Sequence, residues 1–259
     1  MRRVKPKYIT WIRKKKIITF ALLCILATFG LIFIDVFLIR IILLIVFLVT
    51  AYISFILICS FFYFSDNGGG YQNKIHEKIA SKICLENTNT VLDIGAGSGA
   101  LSIKIAKMDR NIIIKAIDYW GADWEYSKSL CESNAKIENV NQQIEFTKAS
   151  ASKLPFQDCS FDAVVSCLTF HEVKDTSDKN KVIDEALRVL KSGGQFVFFD
   201  LFNDQTMFNN YKDLIANIES NHAYIGETSN ISQLIPNAPI IFKHKKVLGN
   251  GILIVGVKK

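Results

Sequence analysis

Two long runs of apolar residues without a charge occupy most of the first 64 residues. The first run is Ile17–Ile34, with 18 residues, and the second is Ile41–Phe64, with 24, and Asp35 and Arg40 are the only charges between them. As α-helices the runs would measure roughly 27 and 36 Å against a hydrocarbon core of ~30 Å, whereas one continuous helix would measure about 72 Å. We therefore expect a two-helix transmembrane hairpin that turns near Asp35–Arg40, or a shallow hairpin that enters one leaflet.

The positive charge of the chain is concentrated in an N-terminal arm. Residues 1–16 contain eight Lys and Arg and no acid, which leaves −1 for the rest of a chain whose net charge is +7. The positive-inside rule places this arm in the cytoplasm, and two crossings return the chain to the same side. A nucleic-acid partner is not expected, because such a protein carries positive charge on its folded surface. A cleaved signal peptide is the alternative, but a second apolar run follows at once and no small-residue cleavage site ends the first.

Short apolar runs alternate with helical periodicity after a Gly-rich hinge at Ser65–Gly70. Strands are predicted at Thr90–Ile94, Ile112–Ile117, Gln143–Phe146, Phe161–Cys167 and Gln195–Phe199, and helices at Leu101–Met108, Asp123–Ile137 and Lys179–Leu190. This order is typical of an α/β fold with a Rossmann-like, doubly wound parallel sheet. The runs Ile240–Lys246 and Ile252–Val257 leave no room for a crossover helix, so they predict an antiparallel C-terminal hairpin. The expected organisation is a basic arm (1–16), two transmembrane helices (17–64) and one α/β domain (65–259).

A glycine-rich turn follows the first predicted strand of this domain. The segment VLDIGAGSGA runs from strand to turn to helix, and glycines let a ligand approach the backbone where free N–H groups begin the helix. The loop also satisfies the dinucleotide fingerprint with Ala in the third place, so the loop alone leaves two kinds of cofactor open. Asp93 before the loop would repel a pyrophosphate but accept hydrogen bonds from an ammonium group, and Asp118 at the next strand end can accept two ribose hydroxyls. The combination predicts an amino-acid nucleoside, and the absence of Gly-Lys-Ser/Thr argues against a triphosphate loop.

Over residues 70–257 the sequence resembles the class I S-adenosylmethionine-dependent methyltransferases, and within them small-molecule enzymes of the quinone and sterol C-methyltransferase type. VLDIGAGSG is similar to the first motif of that family, the acid of AIDYW to the second, KASASKLPF to the third and FDAVVSCLTFHEV to the fourth. The resemblance implies S-adenosyl-L-methionine as cofactor. It assigns the methionine part to Asp93, Gly95, Gly97 and Gly99, the ribose to Asp118, and the surroundings of adenine to Tyr119, Ser150 and Ala151. The third motif departs from the family, which often has Gly-Asp where this chain has Ala149-Ser150.

His171 follows the fourth predicted strand, at the edge where α/β proteins bind ligands, and is our candidate catalytic base. Asp162 at the start of that strand is expected to be structural. The six cysteines lack the spacing of a zinc knuckle or redox pair, so we expect no metal site and reduced, buried thiols. The expected acceptor is small and lipid-like. The alternatives are an NAD(P)-dependent oxidoreductase and a non-catalytic, membrane-tethered nucleoside-binding module.

Overall fold

The computed structural model describes residues 4–86, 88–122, 124–208, 210–221 and 223–259. These residues form two compact units. One consists of residues 10–72, and the other combines residues 4–9 with residues 73–259.

The smaller unit contains two long apolar helices, α1 (Lys14–Phe33) and α2 (Phe37–Phe64). Both are long and apolar enough to cross a membrane, and only 6% and 17% of their most apolar stretches are buried. The turn between them lacks Gly and Pro and is held instead by Arg40, whose Nη1 lies 3.0 Å from Asp35 Oδ1 and whose Nε donates to the carbonyl of Ile34 at 2.8 Å. The two charges between the apolar runs therefore fix the turn that the sequence predicts.

The larger unit is an α/β domain. Its strands are β1 (Thr90–Ile94), β2 (Ile113–Asp118), β3 (Ile144–Lys148), β4 (Phe161–Cys167), β5 (Leu190–Asp200), β6 (Ala223–Asn230) and β7 (Ile252–Lys258). Helix α3 (Tyr71–Ala80) belongs to this unit from residue 73 onward. The other helices of the unit are α4 (Ala100–Met108), α5 (Lys128–Ile137), α6 (Lys179–Arg188), α7 (Gln205–Phe208), α8 (Tyr211–Asn221) and α9 (Ile231–Leu234). Three 3₁₀ helices are also present among the described residues, at Asp66–Gly68, Phe170–Glu172 and Ile240–Lys243.

The seven strands form one sheet in the order β3-β2-β1-β4-β5-β7-β6. The first five in chain order are parallel, and β7 lies antiparallel between β5 and β6. Four of the five residues of β1 are buried, as expected for the central strand of a sheet covered on both faces. The carboxyl ends of β1, β2, β4 and β5 consequently meet at one edge, which we call the carboxyl edge.

The C-terminal hairpin is antiparallel as expected, but its first strand was assigned to the wrong segment. Ile240–Lys246 is not a strand: Ile240–Lys243 is a 3₁₀ helix that buries Phe242 completely. The partner of β7 is β6, whose residues 224–230 alternate between exposed and half-buried positions. The sequence Ala-Tyr-Ile-Gly-Glu-Thr-Ser-Asn lacks the apolar face that marks a core strand, because β6 is an edge strand.

Helix α5 begins later than the predicted Asp123–Ile137. Position 123 lies outside the described residues, and the helix begins at Lys128 after Ser127, whose hydroxyl accepts the Leu130 N–H at 3.1 Å. Trp124 and Tyr126 precede the helix, and their rings stack with centroids 5.2 Å apart.

Asp162 is a structural acid, as the sequence predicts. Its Oδ2 accepts hydrogen bonds from the backbone of Asn89 and from both the backbone and hydroxyl of Thr90, and Lys191 Nζ lies 2.6 Å from its Oδ1. Burial would raise the pKa of Asp162, but these donors lower it to about 2. The carboxylate thus ties the start of β4 to the start of β1.

The cysteines divide into three groups. Cys131 and Cys167 are buried, and burial raises the pKa of both thiols. Cys24 and Cys59 are half-buried, whereas Cys84 and Cys159 are exposed. The expectation that all six are buried is therefore confirmed only for Cys131 and Cys167, and the two exposed cysteines lie in loops.

Candidate active site

Asp93 lies at the centre of the carboxyl edge as the penultimate residue of β1. It pairs in register with Ala116 of β2 and Val165 of β4. The side chain is 1% exposed, and Ser102 of α4 donates its hydroxyl to Oδ2. Oδ1 is buried and has no hydrogen-bond partner among the described residues.

The buried position changes the acidity of Asp93. Burial raises its pKa to about 7, against the lowering effect of the Ser102 hydroxyl and with a further increase from the negative charge of Asp118. An unpartnered buried oxygen of this kind carries a desolvation cost that a cationic ligand can remove.

The glycine loop packs closely against the segment that follows β4. Gly95 has a φ of +86°, and a Cβ on this residue would stand 1.8 Å from the hydroxyl oxygen of Thr169. Thr169 in turn donates to the carbonyl of Ile94 at 3.1 Å. Gly97 and Gly99 also have positive φ values, of +56° and +79°. The first glycine is therefore required by close approach as well as by backbone conformation.

Asp118 ends β2 and holds the glycine loop from the other side. Its Oδ2 accepts the N–H of Gly97 at 2.8 Å and its Oδ1 accepts the N–H of Trp120 at 2.7 Å. Burial raises the pKa of Asp118, and backbone donors from Trp120, Gly97 and Tyr119 offset part of the increase. The Trp120 indole closes the contact by donating to the carbonyl of Gly97 at 3.0 Å.

Tyr119 and Ser150, which the resemblance assigns to adenine, lie in different surroundings. Tyr119 is 66% exposed, and the ammonium of Lys148 lies 5.3 Å from its ring centroid. Ser150 donates its hydroxyl to Asp175 Oδ2 at 2.6 Å, as does Ser152. These two hydroxyls lower the pKa of Asp175 and keep it charged. The structure therefore places a carboxylate beside Ser150, although the third motif itself lacks one.

Ala151 is buried next to Ser150 and belongs to the apolar core beneath this turn. Its methyl group packs in the same cluster as Ile117 and Leu154. The position thus supports the turn that carries Ser150.

His171 forms a pair with Asp200, the last residue of β5. His171 Nδ1 lies 2.5 Å from Asp200 Oδ1, and since a carboxylate only accepts, Nδ1 carries the proton. Nε2 is then the atom that can act as a base, and Glu172 Oε1 lies 3.7 Å from it. Asp200 is 1% exposed and also accepts the backbone N–H groups of Phe170 and Leu201, each at 2.7 Å. Burial lowers the pKa of His171, but the charge and hydrogen bond of Asp200 outweigh it, so that the pKa is raised.

Sequence reasoning missed Asp200 and Asp175. Asp200 carries a signal that could have identified it, because it is the acidic end of a predicted parallel strand next to the strand that leads to His171. Asp175 carries none, since it lies in an irregular loop whose path the sequence pattern does not predict.

The residues at the edge fit the predicted ligand chemistry. The free Oδ1 of Asp93 is an acceptor for an ammonium group, and Asp118 and the Ser150–Asp175 pair present further oxygen acceptors on either side. The three strands that carry or precede these acceptors, β1, β2 and β3, are neighbours in the sheet.

Comparisons with known proteins agree with this arrangement. Residues 92–198 match the family described as "Methyltransferase domain". A curated relative from Rickettsia felis, "Ubiquinone/menaquinone biosynthesis C-methyltransferase UbiE", is 36% identical over 118 residues, which cover 44% of this chain and 45% of that protein. The protein of the same description from Rickettsia massiliae is 35% identical over 120 residues, with the same coverage. The chain thus spans about half the length of the curated relatives it matches.

Solved structures share the fold at low sequence identity. The crystal structure of the [4+2]-cyclase SpnF is 16% identical with a TM-score of 0.56, and the match covers 72% of this chain and 81% of that one. A geranyl diphosphate methyltransferase in complex with SAM is 11% identical with a TM-score of 0.55, over 73% of this chain and 85% of that one. These likenesses confirm the doubly wound sheet with its reversed C-terminal strand.

We expect the variant Asp93→Asn to be more stable than the parent protein at pH 8. A carboxyl whose folded-state pKa lies near 7 destabilises the fold progressively as the pH rises from about 4 to about 7, and the amide has no such penalty. A shift of about three pKa units corresponds to about 2–4 kcal/mol, so the gain should be of that order at pH 8 and vanish near pH 4.

Chemical denaturation of the full chain at both pH values measures this gain. Asp213→Asn, at an exposed position of α8, serves as the matched control and should leave the difference between the two pH values unchanged. Equal stability of Asp93→Asn and the parent at pH 8 would contradict the buried-charge interpretation.

Proposed function

We propose that this chain, whose residues 92–198 belong to the class I S-adenosylmethionine-dependent methyltransferases, transfers a methyl group to a small, membrane-associated acceptor. The observation that carries the proposal is the buried, unpartnered Oδ1 of Asp93 under a glycine loop. A charged oxygen in that place suits the ammonium of the methionine moiety and disfavours the pyrophosphate of a dinucleotide. The NAD(P)-dependent alternative is therefore the weaker one.

In this proposal Asp93 and the loop of Gly95, Gly97 and Gly99 bind the methionine part. Asp118 binds the ribose hydroxyls with the acceptor capacity that its two backbone donors leave over. The exposed ring of Tyr119 covers one face of adenine, and Ser150, backed by the Asp175 carboxylate, accepts from the adenine amine.

When bound, the cofactor would supply a methyl group on a sulfonium, from which the neutral thioether is a good leaving group. The protein has to align the acceptor and remove its proton. If the acceptor atom is a hydroxyl oxygen or an enolisable carbon, Nε2 of His171 takes that proton while Asp200 holds Nδ1–H. The loop that carries His171 touches the glycine loop through Thr169, and this contact supports a base close to the proposed cofactor site.

The class of methyl acceptor is inferred from the names of the curated relatives and from the two apolar helices α1 and α2. The names of the Rickettsia relatives refer to quinone biosynthesis, and α1 and α2 present mostly exposed apolar side chains. A membrane anchor raises the effective concentration of any acceptor dissolved in the lipid phase. We therefore infer a prenylated quinone or a similar lipid as the substrate class.

An insertion at the carboxyl edge supports a lipid-phase acceptor. Residues 231–251 connect Asn230 to Ile252, and both of these pair near Asp200 at the end of β5. Asn250 fastens the insertion there, because its carbonyl accepts the Asn203 N–H at 3.1 Å. The insertion contains no acid, carries Lys243, Lys245 and Lys246, and exposes 84% of Ile240, a combination suited to an anionic membrane surface.

We also propose that both chain ends are cytoplasmic. The eight positive charges of residues 1–16, which precede the apolar part of α1, and the even number of candidate spans favour this topology. Protease added to intact cells should leave the C-terminal domain untouched, and trimming of that domain would refute the topology.

The fold by itself leaves the reaction open, since a [4+2]-cyclase shares it. A module that binds the cofactor without transferring its methyl group is the second candidate. The His171–Asp200 pair favours an enzyme, because a buried carboxylate that orients a histidine serves no need of nucleoside binding alone.

Binding of S-adenosylmethionine should release a proton near pH 7. The ammonium of the ligand lowers the raised pKa of Asp93, so the calorimetric enthalpy should depend on the ionisation enthalpy of the buffer. Asp93→Asn should abolish that dependence and weaken binding about 10- to 100-fold, the range for a lost charge-assisted hydrogen bond. Asp213→Asn should bind like the parent, and unchanged affinity in Asp93→Asn would refute the cofactor assignment.

The rate of transfer should rise with pH through a pKa above 6.5, because His171 must be neutral to act. His171→Ala should remove this inflection and lower kcat about 100-fold. Asp200→Asn should move the inflection to lower pH and reduce kcat with little effect on the KM of the cofactor. Steady-state rates measured between pH 5.5 and 9 test both variants. Full turnover by His171→Ala would exclude His171 as the catalytic base.

Ile240→Ser should slow methylation of a prenylated quinone in vesicles that contain anionic lipid, by several-fold. It should leave the rate on a short, water-soluble quinone unchanged, because only delivery from the lipid phase is affected. Ile113→Ser is the control, since Ile113 is 55% exposed but begins β2 at the opposite edge of the sheet. If full-length protein in vesicles methylates both acceptors at the same rate, the lipid-phase acceptor is wrong.

A further inference from the structure

Residues 4–9 of the basic arm belong to the same compact unit as the α/β domain. We call this segment the strap. Lys7 contacts α5 through its main chain: the Lys7 N–H donates to Asn134 Oδ1 at 2.8 Å, and the Lys7 carbonyl accepts from Asn134 Nδ2 at 2.9 Å. The Tyr8 hydroxyl adds a longer hydrogen bond, of 3.4 Å, to Oε1 of Glu138 at the C-cap of α5. The Lys5 and Lys7 side chains remain exposed. Lys7 is therefore held through its backbone and not through its charge.

Asn134 connects the strap to the glycine loop. Its side chain is 1% exposed, and Nδ2 also donates to the carbonyl of Ser98 at 3.0 Å. One turn earlier in α5, the thiol of Cys131 contacts the carbonyl of Gly97 at 3.1 Å. The carbonyls of Gly97 and Ser98 therefore both accept from side chains of α5. The Asn134 amide that donates to Ser98 is also the one that binds the strap.

The orientation of this amide depends on the strap. Both amide hydrogens and the oxygen of Asn134 are engaged, two of these bonds are to Lys7, and one is to Ser98. Without Lys7 the oxygen and one N–H lose their partners, and the side chain can rotate toward water to satisfy them. The Ser98 carbonyl then loses its donor, and the loop that begins α4 is less firmly held.

We propose that the strap is part of the cofactor site, with Asn134 as a positioning residue that keeps the glycine loop in its binding conformation. The inference rests on the proposed function, in that the loop binds S-adenosylmethionine. The strap is also close in sequence to the first apolar helix, since only residues 10–13 separate it from the first residue of α1. By thermodynamic reciprocity, the cofactor must stabilise the docked strap as much as the strap strengthens cofactor binding.

The proposal is tested on the full chain in lipid nanodiscs with the pair Lys7→Pro and Lys7→Ala. Proline removes the N–H that Asn134 accepts, whereas alanine keeps the backbone and removes only the charge. We expect Lys7→Pro to weaken S-adenosylmethionine binding about ten-fold in calorimetry, and Lys7→Ala to bind like the parent. Equal affinity of Lys7→Pro and the parent would overturn the proposal, as would an equal loss in both variants.

Hydrogen exchange of the free protein supplies the second readout. Amides of residues 95–100 should exchange faster in Lys7→Pro than in Lys7→Ala, while those of β7 should not differ between the two. If the parent itself fails to bind S-adenosylmethionine, the proposed function is wrong, and the exchange comparison still decides whether the strap holds the loop. Unchanged exchange at residues 95–100 in Lys7→Pro would show that it does not.

Discussion

Three aspartates lie at the carboxyl edge, and they differ in the hydrogen-bond donors that the protein provides for them. The chemistry of the site depends on that difference. Asp200 receives two backbone N–H groups and the imidazole of His171, and Asp118 receives two backbone N–H groups. Asp93 receives hydrogen bonds from Ser102 and keeps one buried oxygen unpartnered among the described residues. The first two acids are satisfied by the protein itself. The third keeps a buried oxygen whose electrostatic cost an external cation would remove.

Two central strands of the sheet, β1 and β4, are predicted to the residue, whereas β5 begins at Leu190, five residues before the predicted Gln195 and inside the predicted helix Lys179–Leu190. β1 and β4 coincide with the predicted segments because they are buried on both faces and appear as continuous apolar runs. The edge of the sheet was predicted poorly for the opposite reason. β6 alternates around half-buried polar residues, whereas Ile240–Lys246 has the composition of a strand but forms a turn around the buried Phe242.

The site residues divide in a similar way. Asp93, Asp118 and the glycines follow from local pattern, since strand ends and loop spacing are properties of neighbouring residues. The partners that give them their chemistry come from distant positions: Asp200 is 29 residues from His171, and Asp175 is 25 residues from Ser150. Such pairs depend on sheet order and loop path, which one sequence does not specify. The Lys7–Asn134 contact spans 127 positions and is beyond any local pattern.

As the pH rises, Asp93 and His171 of the carboxyl edge become able to bind a cation and to accept a proton, which we call competence, while the stability of the fold decreases. Asp93 binds a cation only when deprotonated, with a pKa of about 7, and His171 accepts a proton only when neutral, with a pKa raised above its usual value. Competence therefore increases as the pH rises through the neutral range. Both raised pKa values also withdraw stability as the pH rises, for Asp93 between about 4 and about 7 and for His171 from its usual pKa upward, since a group that holds its proton more tightly in the folded state stabilises the fold only while protonated. The ligand reverses this trend, because a bound ammonium favours the charged form of Asp93, so the protein without its cofactor is least stable under the conditions in which the site is ready to bind it.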